Sequence, residues 1–340
     1  MLRLNFPVPR IATQGMLIKR LLPALLLVNC MQYAFAASAP LQLVERIPLP
    51  GVTGRIDHMA VDLEQNRLFI AALGNDSLEV VDLHKGKRIR SIKGLSEPQG
   101  VIFIADRGLL VIANGGNGVC LVMDARTFKP VARLDLHSDA DNLRYDAASG
   151  GFLAAYGNGA IAMFDRNFHR SGDIPLPGHP EAFTLDRDTG RMFINVPAAG
   201  AVFVADIRKL RLAQTWALQN AAANFPMALN KTNDTLLVGT RRPPQISAID
   251  TLSGKAGFSV PVDADPDDIF IDSVRQRVYV ACGAGYIDIL EWSAGGVYRM
   301  LDRIPSAPGA RTALYVPEQQ RLYLAVPRRG QRDAGIWVYR

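Results

Sequence analysis

The sequence predicts an all-β fold, a seven-bladed β-propeller of four-stranded antiparallel blades. Three observations carry this reading. An apolar strand recurs seven times at roughly 40–45 residues, a second strand after each copy most often closes on an acid, and a lone strand before the first copy is available to complete the last unit. No stretch beyond the N-terminal segment has the three-to-four-residue apolar period of a long amphipathic helix, which sets a helical solenoid aside.

The recurring strand reads RLFIAA from Arg67, LLVIAN from Leu109, GFLAAY from Gly151, RMFINV from Arg191, TLLVGT from Thr235, RVYVAC from Arg277 and RLYLAV from Arg321. The strands that follow end at Asp82, Asp124, Asp165, Asp206, Asp250 and Glu291, and the seventh is GIWVYR from Gly335 to Arg340. Before each copy lies another strand, as in MAVD from Met59, LRYD from Leu143, FTLD from Phe183, MALN from Met227 and IFID from Ile269. Each unit is therefore a short meander. A fourth strand separates the units near Ile47, Ile92, Leu134, Ile174, Leu218, Val260 and Ile304. The last unit stops after its third strand, so residues 41–49 are expected to pair with it, closing the ring and removing an exposed sheet edge. Pro48, Pro175, Pro261 and Pro305 fall in these outer strands, where a residue without an N–H donor is tolerated.

Residues 1–36 read as a cleavable secretory signal peptide of bacterial type and residues 37–340 as a single propeller domain. Lys19 and Arg20 precede the apolar run Leu21 to Val28, and Ala34-Phe35-Ala36 supplies a small-x-small cleavage pattern. Met16 is an alternative start, and Leu27 to Cys30 offers a competing lipoprotein box. The apolar core is too short for a permanent membrane span. The expectation is a periplasmic or secreted monomer with no transmembrane segment in the mature chain. The formal net charge of +6 shrinks on cleavage, because losing Arg3, Arg10, Lys19 and Arg20 from 38 basic residues leaves 34 against 32 acidic ones. That balance gives no electrostatic footprint for nucleic acid. Cys120 and Cys282 fall in the second and sixth units, too far apart around a ring to bridge, and read as small buried strand residues.

The units Leu109 to Val131 and Arg67 to Ile89, each an apolar strand ending in Ala-Asn or Ala-Ala before a Gly/Asn turn, resemble the YVTN repeat. The mature chain is similar to the YVTN/YncE-like seven-bladed propellers, although the literal tetrad never occurs. The resemblance implies a secreted or periplasmic repeat protein of bacteria and specifies fold more than chemistry. Gly74-Asn75-Asp76 and Gly115-Gly116-Asn117 read as tight hairpin turns, whose positions need positive φ. Gly178-His179 has no Trp-Asp partner, which sets WD40 repeats aside.

In a meander ring, the segments leading into the innermost strands share a face with the loops joining the second and third strands. That face is the expected site. Its candidates are Asp57, His58, Gln99, Asp141, Asn142, Arg144, His179, Glu181, Asn224, Asp267, Asp268 and Arg311 from the lead-in segments, with Arg241 and Arg242 from a second-to-third-strand loop. Arg144 joins them because it lies two residues beyond Asn142 on its strand.

The ring admits three readings: the lining of a water-filled channel, a cation site, or recognition of a small or peptidic polar ligand. The polar-ligand reading makes the protein a ligand- or protein-binding module and is the one adopted. The alternative is a metal-dependent hydrolase or lyase of lactonase type, in which Asp57, His58, Glu181 and Asp268 surround a divalent cation such as calcium. No serine sits in a nucleophile elbow and no Gly-rich phosphate loop precedes a helix, so no compact catalytic motif supports an enzyme. Nucleic-acid binding would need Arg241, Arg242, Arg328 and Arg329 as a phosphate track, with Phe225 and Tyr286 for stacking.

Overall fold

The computed structural model describes residues 41–293 and 295–340. The expected signal segment 1–36, with Met16 and Cys30, lies outside the described residues. Seven four-stranded antiparallel sheets form, six of them in strict sequence order. Blade one comprises Met59–Asp62, Arg67–Ala72, Ser77–Asp82 and Lys87–Lys93, and the pattern repeats through blade six, which ends at Tyr298–Pro305. Helical structure among the described residues is confined to four short 3-10 turns, and none is long and apolar enough to cross a membrane. The chain is a seven-bladed β-propeller.

Blade seven is the exception to sequence order. Its strands Ala313–Val316, Arg321–Val326 and Ala334–Tyr339 are completed on the outside by Leu43–Leu49, so that Ile47 pairs with Ile336 and Leu49 with Ala334. Gln42 and Arg340 exchange backbone hydrogen bonds of 2.9 Å in both directions. The ring closes as the sequence reading expects.

The strands follow from where each one is buried. A second strand such as Arg67–Ala72 packs a neighbouring blade on both faces, so every residue after the first is buried and the segment is a continuous apolar run. An outer strand such as Lys87–Lys93 is mostly exposed or half-exposed. The apolar side chains collect into seven clusters, one at each blade interface; Ile47, Leu68, Tyr323 and Ile336, for instance, join blades seven and one. Burial of each such side chain stabilises by about 1.5–3 kcal/mol. Cys120 and Cys282 are free and buried in two of these clusters.

Turn chemistry fixes the lower face. The residue just before every second strand is left-handed: Asn66, Gly108, Gly150, Gly190, Asp234, Gln276 and Gln320. A left-handed residue closing each four-residue loop lets the chain reverse into the next antiparallel strand. On the upper face the turn expectation needs correction. Positive φ falls on Asp76 and Gly118, not on Gly74, Gly115 or Gly116. Gly74 is needed for space instead, since a Cβ there would lie 2.7 Å from the Arg55 backbone nitrogen, whereas a Cβ on Gly115 would meet only the movable ends of the Gln99 and Asp139 side chains. The third strand of blade three also stops one residue earlier than the sequence suggests, at Phe164, with Asp165 accepting backbone N–H bonds from Asn167 and His169.

Candidate functional site

The seven innermost strands begin on one face, and their lead-in segments enclose a cavity of about 310 Å³. Blade one contributes Arg55, Asp57 and His58, blade two Gln99, and blade three Asp139, Asp141, Asn142 and Arg144. His179 and Glu181 come from blade four, Phe225 and Arg241 from blade five, Asp267 and Asp268 from blade six, and Arg311 from the approach to blade seven. Only the ring axis is within reach of all seven, so this is the mouth of the axial channel. Its size is that of a small-ligand pocket.

All the candidates read from sequence line this cavity except Asn224 and Arg242. Asn224 is fully buried and donates to Asn195 Oδ1 at 3.0 Å and the Ala201 carbonyl at 2.9 Å, while Asn195 donates to the Phe225 and Pro226 carbonyls. It pins blade five to blade four. It stands six residues before the strand-closing Asn230, the place held in other blades by the buried Ile56, Pro98, Ala140, Pro266 and Ala310, whereas Asp57, Asp141 and Asp267 stand five before the ends of their strands. Arg242 follows Arg241 at a strand end, so the two point to opposite sides and Arg242 is exposed. Thr312, in register with His58, is buried, and its hydroxyl donates to the Ile56 carbonyl at 3.4 Å. His84, His137 and His169 are exposed, as expected of turn residues. Neither Tyr286 nor Arg328 and Arg329 reaches the cavity.

Arg55 and Asp139 were missed by the sequence reading, as was Asp265 just outside the cavity wall. Each lies two residues before a residue that was found, Asp57, Asp141 and Asp267 respectively. The period of two that recovered Arg144 runs in that direction as well.

One side of the cavity is internally paired. Arg241 Nε lies 2.9 Å from Asp265 Oδ1 and its NH2 bonds Asp267, while Arg311 reaches Asp265 at 2.9 Å and Asp267 at 3.2 Å. The Arg241 guanidinium also stacks 3.7 Å from the Phe225 ring centroid. Next to this cluster, His179 places Nδ1 2.6 Å from the Gly157 carbonyl and Nε2 3.3 Å from Asp141 Oδ2. With an acceptor at each nitrogen it is held as the cation; the hydrogen bond to Asp141 raises its pKa to about 9.

The other side is not balanced. Asp57 is 2% exposed and pairs through one oxygen with Arg55 at 2.6 Å, but its other oxygen has only the imidazole of His58 nearby, Nε2 at 4.0 Å. Burial pushes the Asp57 pKa up to about 8, with Asp141 and Asp267 adding to the rise. Burial lowers that of His58, which favours the neutral imidazole. The Glu181 carboxyl has no hydrogen bond or ion pair among the described residues, and burial raises its pKa to about 7. Asp268 accepts one bond, from the Ala313 N–H at 2.8 Å, and burial raises it well above the usual carboxylate range. Arg144 donates to the Phe183 and Leu143 carbonyls and approaches Asn142, without an ion pair.

A divalent cation needs several oxygen or nitrogen atoms within about 2.0–2.6 Å of one point. Asp57, His58, Glu181 and Asp268 line the same cavity, but among the described residues no three His, Cys, Asp or Glu side chains converge to hold a metal. One oxygen of Asp57 is committed to Arg55 and one of Asp268 to the Ala313 N–H. These residues as placed do not form a cation cage, and no chemistry is derived through one.

No protein-family model matches the chain. No curated protein matches it either. Among solved structures, hydrazine synthase of Kuenenia stuttgartiensis superposes with a TM-score of 0.70, covering 82% of this chain and 95% of that one at 15% sequence identity. This likeness is one of fold.

Proposed function

We propose that the protein is an exported binding propeller that holds a small polar ligand in the axial cavity of its upper face. The observation that carries this reading is the mixture of half-satisfied charges there: Asp57, Glu181, Asp268 and Arg144 line one cavity without full partners. A lining that served only to complete the fold would satisfy its own buried groups, because an uncompensated buried charge costs several kcal/mol. Groups left incomplete in a concave site are what a ligand completes. The resemblance to YVTN/YncE-like propellers supports export and leaves the ligand open.

Thermal-shift screening of the full chain against small polar compounds tests the reading, with Glu181→Gln and Arg144→Met as cavity variants. A compound that raises the melting temperature of the wild type and not that of a cavity variant is the expected result. If wild type and both variants respond alike to every compound, the cavity is not a binding site. The N-terminal mass of the protein recovered from cells tests export, which predicts loss of the first 36 residues.

A further inference from the structure

We infer that the ligand of this cavity carries an organic cation, an ammonium or guanidinium group, seated among the carboxylates of Glu181, Asp57 and Asp268. This rests on the binding reading above and narrows it to a chemical class.

The pairing pattern leaves more carboxyl groups than cationic partners, groups that a bound cation would hold ionised. Arg241 and Arg311 are consumed by Asp265 and Asp267, His179 by Asp141, and Arg55 by one oxygen of Asp57. Glu181 then has no partner, Asp268 has a single backbone N–H, and the second oxygen of Asp57 has no hydrogen bond. Asp57 is nine-tenths buried by a wide margin and lines the cavity, so this is an incomplete internal carboxylate and not a solvated surface acid. Arg144 does not restore the balance. Its guanidinium is fixed to the wall by the Phe183 and Leu143 carbonyls and lies over the Phe183 ring, where its charge is shared with Asp268 and Asp141.

The spread of the acids selects the kind of cation. They come from blades one, four and six, and no three side chains meet as a metal ion would need. An ammonium presents three N–H donors and a guanidinium five, distributed over a wider volume, and such a group can bridge carboxylates that a bare ion cannot. Pro226, Met227, Ile269 and Phe270 line the same cavity and give an attached methylene chain an apolar wall.

The test is calorimetric titration of the full chain in moderate salt with probes matched in length and differing in charge: butane-1,4-diamine and agmatine, butane-1,4-diol, and succinate. The expected result is binding of the diamine or agmatine at least tenfold tighter than of the diol or succinate. Glu181→Gln should weaken that binding tenfold or more, while Arg242→Ala, outside the cavity, should leave it unchanged. Circular dichroism on Glu181→Gln keeps a folding defect from imitating the effect. If succinate or the diol binds as well as the cations, in a manner lost in Arg144→Met, the cation inference falls and the binding reading stands. If no probe of any charge binds, both fall.

Discussion

The two faces of the ring use the same residue type in opposite ways. On the lower face, Asp82, Asp124, Asp165, Asp206 and Asp250 each accept hydrogen bonds from residues two to four further on, chiefly from the Lys85 and Ser253 side chains at Asp82 and Asp250 and from backbone N–H groups at the other three, and those bonds hold their carboxyls below the usual range. Asp186 and Asp272 are buried, as Asp57 is, yet hydrogen bonds from Thr189 and Lys231, and from Arg275, outweigh burial and hold them low as well. On the upper face burial wins, and Asp57, Glu181 and Asp268 are driven toward their protonated forms. An acid that closes its own turn belongs to the fold. An acid that its surroundings leave incomplete marks a site.

The lower face also ties blade to blade. Arg67 pairs with Asp62 at 2.6 Å and donates to the Ala125 carbonyl of blade two at 2.6 Å, and Arg191 of blade four makes the equivalent bond to the Thr251 carbonyl of blade five. The sharpest way to break the contrast is Arg67→Ala, which leaves Asp62, itself 2% exposed, as an uncompensated buried charge. It should destabilise by about 3 kcal/mol in urea unfolding. A loss below about 1 kcal/mol would mean that the clamp contributes little.

Next in size is Glu181→Gln. The folded protein holds a proton on Glu181 up to about pH 7, whereas its ordinary value is 4.5. Folded chains therefore bind more protons across that window, and stability falls as pH rises from 4.5 through 7. Glu181→Gln should raise stability by about 2 kcal/mol at pH 8 and leave it unchanged at pH 4.5. Equal stability of wild type and variant at both pH values would show that Glu181 carries no strain. His179, raised to about 9 by its Asp141 bond, contributes in the same direction, its stabilisation being lost as pH rises through that value.

The smallest expected effect is on the lower face. Asp250→Ala removes the bonds from the Ser253 N–H at 2.7 Å and hydroxyl at 2.6 Å and should cost about 1 kcal/mol at pH 7. The cost should shrink as pH falls below the ordinary 3.8 of an aspartate, because a depressed carboxyl contributes only while ionised. Together the two faces predict a stability maximum at about pH 4–5, readable from melting temperatures across the range. A maximum near pH 8 would contradict the upper-face assignment.

Much of this was legible in the sequence. The apolar runs from Arg67 to Arg321 showed the blades because strands buried on both faces cannot hide among polar residues. The outer strand near Ile47 showed the closure. The site was legible as far as a period of two could carry it, which brought in Arg144 and, had it been run backward, would have brought in Arg55 and Asp139. Asn224 was misplaced because it stands one position before Phe225, the residue that matches Asp57 and Asp141, and a polar residue there reads like a site residue until its bonds to Asn195 and Ala201 are seen. The turn glycines were misassigned for a related reason. Gly74 is denied a side chain by the backbone of another segment, Gly54 and Arg55, and such crowding is invisible until the chain is folded.

The pairing of Leu43–Leu49 with Ala334–Tyr339 joins segments separated by nearly the whole described chain. During synthesis the earlier strand must wait, unpaired, while six blades are made, and blade seven cannot assemble until Tyr339 has been added. Its formation is among the most non-local contacts the chain can make, and loop-closure entropy places such contacts late in folding. The mouth of the cavity spans all seven blades, Arg311 included, so it takes shape only when that last sheet locks. A nascent or truncated chain can contain every blade but the seventh and still have no complete site.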